Sequence, residues 1–116
     1  MRLGEVCLLT KNVPRLASFY KALLDTDNGS NDPVHQFIIS GDVSLTVCNN
    51  GTDMSQSGQT ICLAFTVDDL ESEYQKLLAL GAEIVEPPAK RPWGAINLSF
   101  RDPDGNLVYL RQLPEA

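Results

Sequence analysis

The sequence is poor in the residues that build metal and disulfide frameworks. It has three cysteines, an odd number with no Cys-x-x-Cys pair, and a single histidine, His35. That usage argues against a disulfide scaffold and against a zinc ribbon. No apolar run approaches the length of a membrane span, and no signal peptide is recognisable at the start. The expectation is therefore a reducing, cytoplasmic setting. Basic residues are outnumbered, 9 against 15, for a net charge of −6. The balance disfavours nucleic acid and anionic membranes as partners and favours a neutral or cationic ligand; ordinary solubility charge is the plainer reading. What is present suits a folded chain: 43% of the residues are hydrophobic and 21% charged, over 116 residues. That is enough for one domain with a real core.

Arg91 to Leu110, RPWGAINLSFRDPDGNLVYL, is the most informative stretch. Ile96, Leu98 and Phe100 alternate with Asn97, Ser99 and Arg101, the period of a half-buried strand. Asp102-Pro103-Asp104-Gly105 turns the chain, because proline fixes φ and glycine supplies a conformation that other residues resist. Val108 and Leu110 resume one face, and Leu107, Tyr109 and Arg111 take the other.

Earlier in the chain, Glu5–Thr10 reads as a strand. Asn12 caps a helix with Pro14 in its first turn, and Val13, Leu16, Tyr20, Leu23 and Leu24 give it an apolar face to about Asp25. Thr26–Pro33 is a polar loop. Val34–Ser40 and Val43–Asn49 form a hairpin around Gly41-Asp42. Residues 51–58 have linker chemistry. The order then repeats. Thr60–Val67 is a strand, and Asp68 and Asp69 start a helix whose apolar face is Leu70, Tyr74, Leu77 and Leu78, closed by Gly81. Glu83–Val85 is a short strand that Pro87-Pro88 breaks. At an offset of 57 positions Asn12 falls on Asp69, Val13 on Leu70, Tyr20 on Leu77 and Leu23 on Leu80. The pattern is that of a duplicated unit, with modules at about 1–50 and 59–116.

Alternation also sorts the strand faces. Val6 and Leu8, then Val43, Leu45 and Val47, then Ile61, Leu63, Phe65 and Val67 are the apolar sets that pack under helices. The remainders are Glu5, Cys7 and Leu9; Ser44, Thr46 and Cys48; Cys62, Ala64 and Thr66; and Asn97, Ser99, Arg101, Leu107, Tyr109 and Arg111. A ligand would sit against these faces. His35 and Phe37 fit either face of their strand. With no acid–base partner identifiable, His35 reads as a half-exposed strand residue. Trp93, between Pro92 and Gly94, fits both a stacking role and a cap on the core rim.

Three stretches, VCLLTKNVPRLASFYKALL, FTVDDLESEYQKLLALGAEI and the Pro-Trp-Gly to Asp-Pro-Asp-Gly-Asn hairpin, together resemble the vicinal oxygen chelate superfamily of glyoxalase I, bleomycin-resistance proteins and extradiol dioxygenases. The resemblance implies an α+β fold of two βαβββ modules, forming a curved mixed sheet around a concave groove with helices on the outer face. It implies a homodimer, which would also cover the open strand edges.

Enzymes of the superfamily hold a divalent ion with His, Glu and Gln. Carried over, those positions fall on Glu5, Ser44 or Thr46, Cys62 and Tyr109, of which only Glu5 is such a ligand. The expectation is therefore no metal, no cofactor and no catalytic residue. The ligand-binding set is Glu5, Cys7, Phe37, Thr46, Cys48, Cys62, Trp93, Asn97, Ser99, Arg101, Tyr109 and Arg111. Glu5 is expected to pair with Arg101 or Arg111. The favoured function is a metal-free binder of the bleomycin-resistance type that sequesters a cationic or aromatic, antibiotic-like small molecule. The alternatives are a metal-dependent lyase or dioxygenase with a non-standard site, and a non-catalytic dimeric interaction module.

Overall fold

A computed structural model describes residues 3–49, 51 and 62–114. The chain divides into two compact units, Met1–Ser57 and Gly58–Ala116. The residues between Asn49 and Cys62, apart from Gly51, lie outside the described set, and with them the expected linker, Thr60 and Ile61.

In the first unit the order is β1 (Glu5–Leu9), α1 (Val13–Leu23), β2 (His35–Ile39) and β3 (Ser44–Cys48). The sheet runs β1-β3-β2, with β1 parallel and β2 antiparallel to the central β3. The second unit carries β4 (Leu63–Thr66), α2 (Leu70–Ala79), β5 (Glu83–Lys90), β6 (Ile96–Arg101) and β7 (Leu107–Gln112). Its sheet runs β4-β7-β6-β5, and again the first strand pairs in parallel with the last. These are two mixed sheets, each with one helix packed on one face, which is the expected α+β architecture.

The repeat predicted from the sequence is visible at the helix starts. Asn12 Oδ1 accepts from Arg15 N and Asp69 Oδ1 accepts from Ser72 N, both at 3.2 Å. Each bond satisfies a donor that the first helical turn leaves free. Val13 and Leu70 are both 1% exposed, and Tyr20 and Leu77 both 0%. The helix ends match as well. Asp25 (φ 51°) and Gly81 (φ 73°) take the left-handed conformation. Thr26 N bonds Lys21 O and Ala82 N bonds Leu77 O, both at 3.0 Å. That six-to-one closure stops the helix with its last carbonyls partnered. The match ends at Leu23, which is buried, against Leu80, which is 40% exposed.

Two expectations need correction. Pro87-Pro88 does not end its strand: β5 runs from Glu83 to Lys90, with register shifts where the prolines fall. The strand lies at the edge of the sheet, where a missing N–H costs no ladder bond. Nor do both units carry three strands after the helix. Among the described residues the first unit has two, because the counterpart of β5 is Thr26–Pro33, whose Asp and Asn side chains bond nearby backbone instead. Asp27 Oδ1 accepts from Gly29 N, Asn28 Oδ1 from Ser30 N, and Asp32 Oδ1 from Val34 N and His35 N. Such local bonds compete with a sheet ladder.

The core of the first unit is Val13, Leu16, Tyr20, Leu23, Ile38, Leu45 and Val47 under α1; that of the second is Leu70, Leu77, Leu98, Phe100, Val108 and Leu110 under α2. Each such side chain contributes about 1.5–3 kcal/mol by leaving water. The helix-free sheet faces carry most of the polar strand side chains, together with Phe37 and Tyr109.

Candidate functional site

On the first sheet, register fixes who stands beside whom. Glu5 faces Ser44, Cys7 faces Thr46, and Leu9 faces Cys48 across β1–β3. Across β3–β2, Cys48 faces His35 and Thr46 faces Phe37. The predicted remainders Glu5, Cys7, Thr46 and Cys48 thus share one open face, and His35 and Phe37 join them. The sequence left those two open because β2 has apolar residues on both phases, and because its polar Gln36 is the buried one. Gln36 tolerates burial through Lys21 Nζ, which donates to its Oε1 at 2.9 Å, and through its own Nε2, which donates to Asp32 O at 3.2 Å.

Thr46 is the centre of this face. It is 0% exposed, and its Oγ1 donates to Glu5 Oε1 at 2.6 Å. Glu5 thus has a partner within its own unit; Arg101 and Arg111, the expected partners, belong to the other. Those arginines also bond within their unit: Arg101 Nη1 to Gly105 O at 3.0 Å, with Nε 3.8 Å from Glu83, and Arg111 Nε to Thr66 Oγ1 at 2.9 Å. His35 and Phe37 meet edge to face, with ring centroids 5.1 Å apart and planes at 80°. The Cys48 thiol is held above the ordinary thiol range, first by its partial burial, then by the Cys7 thiol beside it and by the Glu5 carboxylate.

On the second sheet, Asn97 faces Arg111 and Ser99 faces Tyr109 across β6–β7, while Ala64 faces Tyr109 across β4–β7. Asn97, Ser99, Arg101, Tyr109 and Arg111 share the helix-free face, as alternation predicts. Asn97 Oδ1 is covered and has no hydrogen-bond partner among the described residues. Cys62 stands exposed just before β4. Trp93 sits in the tight β5–β6 connection, which Arg91 N to Ala95 O (2.7 Å) and Gly94 N to Arg91 O (2.9 Å) close. Gly94 is required there: φ is 95°, and a Cβ would meet Pro114 at 3.3 Å. The Trp93 side chain is 68% exposed, so it does not cap the core of its unit.

The parallel pairs show which residues occupy equivalent places. Cys7 and Ala64 are 57 positions apart, and they face Thr46 and Tyr109 respectively. Of the two residues left open in β3, Thr46 is therefore the structural counterpart of Tyr109. A threonine hydroxyl, a tyrosine phenol and a thiol are not the oxygen and nitrogen donors that a hard or borderline divalent ion selects, and Glu5 alone is. Among the described residues, no group of three His, Cys, Asp or Glu side chains converges as metal ligands do. The residues present do not fit such an ion.

A polar hollow of about 760 Å³, lined by Ser18, Lys21, Asp25, Asp27 and Asn31, lies away from these faces. Its only cation, Lys21, is already bonded to Ser30 O and Gln36 Oε1. No helix among the described residues is long and apolar enough to cross a membrane.

The sequence profile of the glyoxalase/bleomycin resistance protein/dioxygenase superfamily matches residues 2–110. The chain belongs to that superfamily. No curated relative matches it. Among solved structures it is similar to a family enzyme from Burkholderia phytofirmans PsJN, at 16% identity and TM-score 0.84, over 97% of this chain and 99% of that one. TioX from Micromonospora sp. ML1 is 21% identical at TM-score 0.75, over 97% and 98%. Lactoylglutathione lyase from Agrobacterium tumefaciens is 19% identical at TM-score 0.74, over 95% and 92%. At these identities the likeness is one of fold.

Proposed function

We propose that the protein binds a small organic molecule of cationic or aromatic character and releases it unchanged, as a metal-free member of its superfamily of the bleomycin-resistance type. The observation that carries this reading is the donor set. Where the resemblance puts metal ligands stand Glu5, Thr46, Cys62 and Tyr109, and the one carboxylate among them already accepts from Thr46 at 2.6 Å. A catalytic divalent site needs about three convergent donors and an open position. The side chains instead suit recognition: an exposed indole on a glycine-locked turn, a phenol beside a small alanine, and a net charge of −6. Free Cys7, Cys48 and Cys62 fit a reducing, cytoplasmic compartment. Open strand edges in both sheets fit a homodimer.

Trp93 is the only tryptophan, so its fluorescence reports directly. Titration with proflavine, a planar cation, is expected to quench it saturably, and the dye is expected to be recovered intact. Trp93→Ala, followed through the dye's own fluorescence because the variant has no tryptophan, is expected to weaken binding by about 0.5–1.5 kcal/mol, the worth of an aromatic stack beyond its area. Unchanged affinity in that variant would remove the stacking role. The second reading, a lyase or dioxygenase with a non-standard metal site, rests on Glu5 alone and requires activity on added metal that Glu5→Ala abolishes.

A further inference from the structure

We infer that the open face of the first sheet carries a subsite for an organic ammonium group, set between the Glu5 carboxylate and the Phe37 ring. The inference rests on the reading above, that the chain binds a small organic cation, and says where the charge is held.

Glu5 and Phe37 lie on the two outer strands, β1 and β2, with β3 between them. Neighbouring strands are about 4.8 Å apart, so the two backbones are separated by roughly 10 Å. The Glu5 side chain closes half of that distance. Its Oε1 lies 2.6 Å from Thr46 Oγ1, over the central strand, and Thr46 is the residue directly facing Phe37. The carboxylate is thus held about one strand spacing from the Phe37 position. A cation is attracted to an aromatic face within about 6 Å of the ring centroid, so one ammonium group can touch the carboxylate and the ring together.

Three further observations fit. Phe37 is 50% exposed, and His35 packs against it nearly at right angles, which limits how its ring turns. Among the described residues of its own unit, Glu5 pairs with no cation: its hydrogen bond is to the Thr46 hydroxyl, through Oε1. The field of the carboxylate is felt on this face, since it contributes to keeping the Cys48 thiol protonated.

The chemistry also selects the kind of cation. A bare metal ion would find, among the described residues, no group of three metal-binding side chains to replace its waters. An alkylated ammonium is weakly hydrated, presents apolar methyl groups to Phe37, and asks for one diffuse negative charge.

Choline and its neutral isostere 3,3-dimethylbutan-1-ol have the same shape and differ in charge, so they test the inference on the unaltered protein. Followed by amide resonances, choline is expected to shift Cys7, Phe37 and Thr46 saturably, and the neutral alcohol to leave them in place. Glu5→Gln keeps an acceptor for Thr46 and removes the charge; Phe37→Leu keeps an apolar side chain and removes the ring. Each is expected to weaken choline binding about two- to fivefold, the range for an exposed ion pair or cation–π contact. Equal shifts by both compounds, or full affinity in Glu5→Gln, overturns the subsite. If proflavine still quenches Trp93 in that case, the binding reading survives without it. If neither choline nor proflavine binds, the reading itself fails.

Discussion

Thr46 Oγ1 donates a 2.6 Å hydrogen bond to Glu5 Oε1, from a side chain that is 0% exposed to a carboxylate on an exposed residue. A buried hydroxyl needs a partner, and Thr46 finds it by reaching up to Glu5. The consequence falls on Glu5, whose flexible side chain is fixed over the central strand.

Thr46→Val keeps the shape and removes the donor. Glu5 then returns to water and the valine methyl replaces the hydroxyl, so the stability change is expected to stay within about 1 kcal/mol. Choline affinity is expected to fall by about the two- to fivefold that an exposed ion pair is worth. Urea unfolding and the choline titration read the two effects separately. A large loss of stability with unchanged affinity would make the bond purely structural.

Asp102 does the opposite kind of work. It is 4% exposed; its Oδ1 accepts from Asp104 N and Asn106 N at 2.9 Å, and its Oδ2 from Asn106 Nδ2 at 2.8 Å. One carboxylate therefore writes the Asp-Pro-Asp-Gly-Asn turn. Asp102→Ala strands those donors in a part-buried turn, and hydrogen bonds to a charged group are the strong ones. The expected loss is about 2–4 kcal/mol in chemical unfolding. A loss below about 1 kcal/mol would mean that the turn holds itself without the carboxylate.

Cys48 gives a pH dependence with a fixed sign. Its native thiol is raised by partial burial, by Cys7 and by Glu5. Above the ordinary thiol range, from about pH 8.5 upward, the unfolded chain has lost this proton while the native chain keeps it. The unfolded state then binds fewer protons, and stability falls as pH rises. Unfolding measured on either side of that range is expected to show the fall, and Cys48→Ala to flatten it. A steeper fall in Cys48→Ala would contradict the assignment.

Much of this was legible in the sequence, for identifiable reasons. The caps at Asn12 and Asp69, the left-handed stop at Gly81 and the alternation through β6 and β7 are local chemistry, written in adjacent residues. The sorting of Glu5, Cys7, Thr46, Cys48, Asn97, Ser99, Tyr109 and Arg111 to helix-free faces needed only a period of two. What escaped depends on partners distant in the chain. Gln36 is buried because Lys21 reaches it, and that burial turns His35 and Phe37 outward. Glu5 accepts from Thr46, 41 positions away in the chain. Pro87-Pro88 stays in a strand because β5 lies at a sheet edge, which no local signal records.

The central claim, binding without metal or turnover, is tested most directly by elemental analysis of dialysed protein paired with recovery of bound proflavine. The account predicts far less than one zinc, nickel, iron or manganese per chain, unchanged affinity after chelation, and dye recovered intact. Stoichiometric metal that survives dialysis, together with turnover lost in Glu5→Ala, would contradict it and establish the enzyme reading.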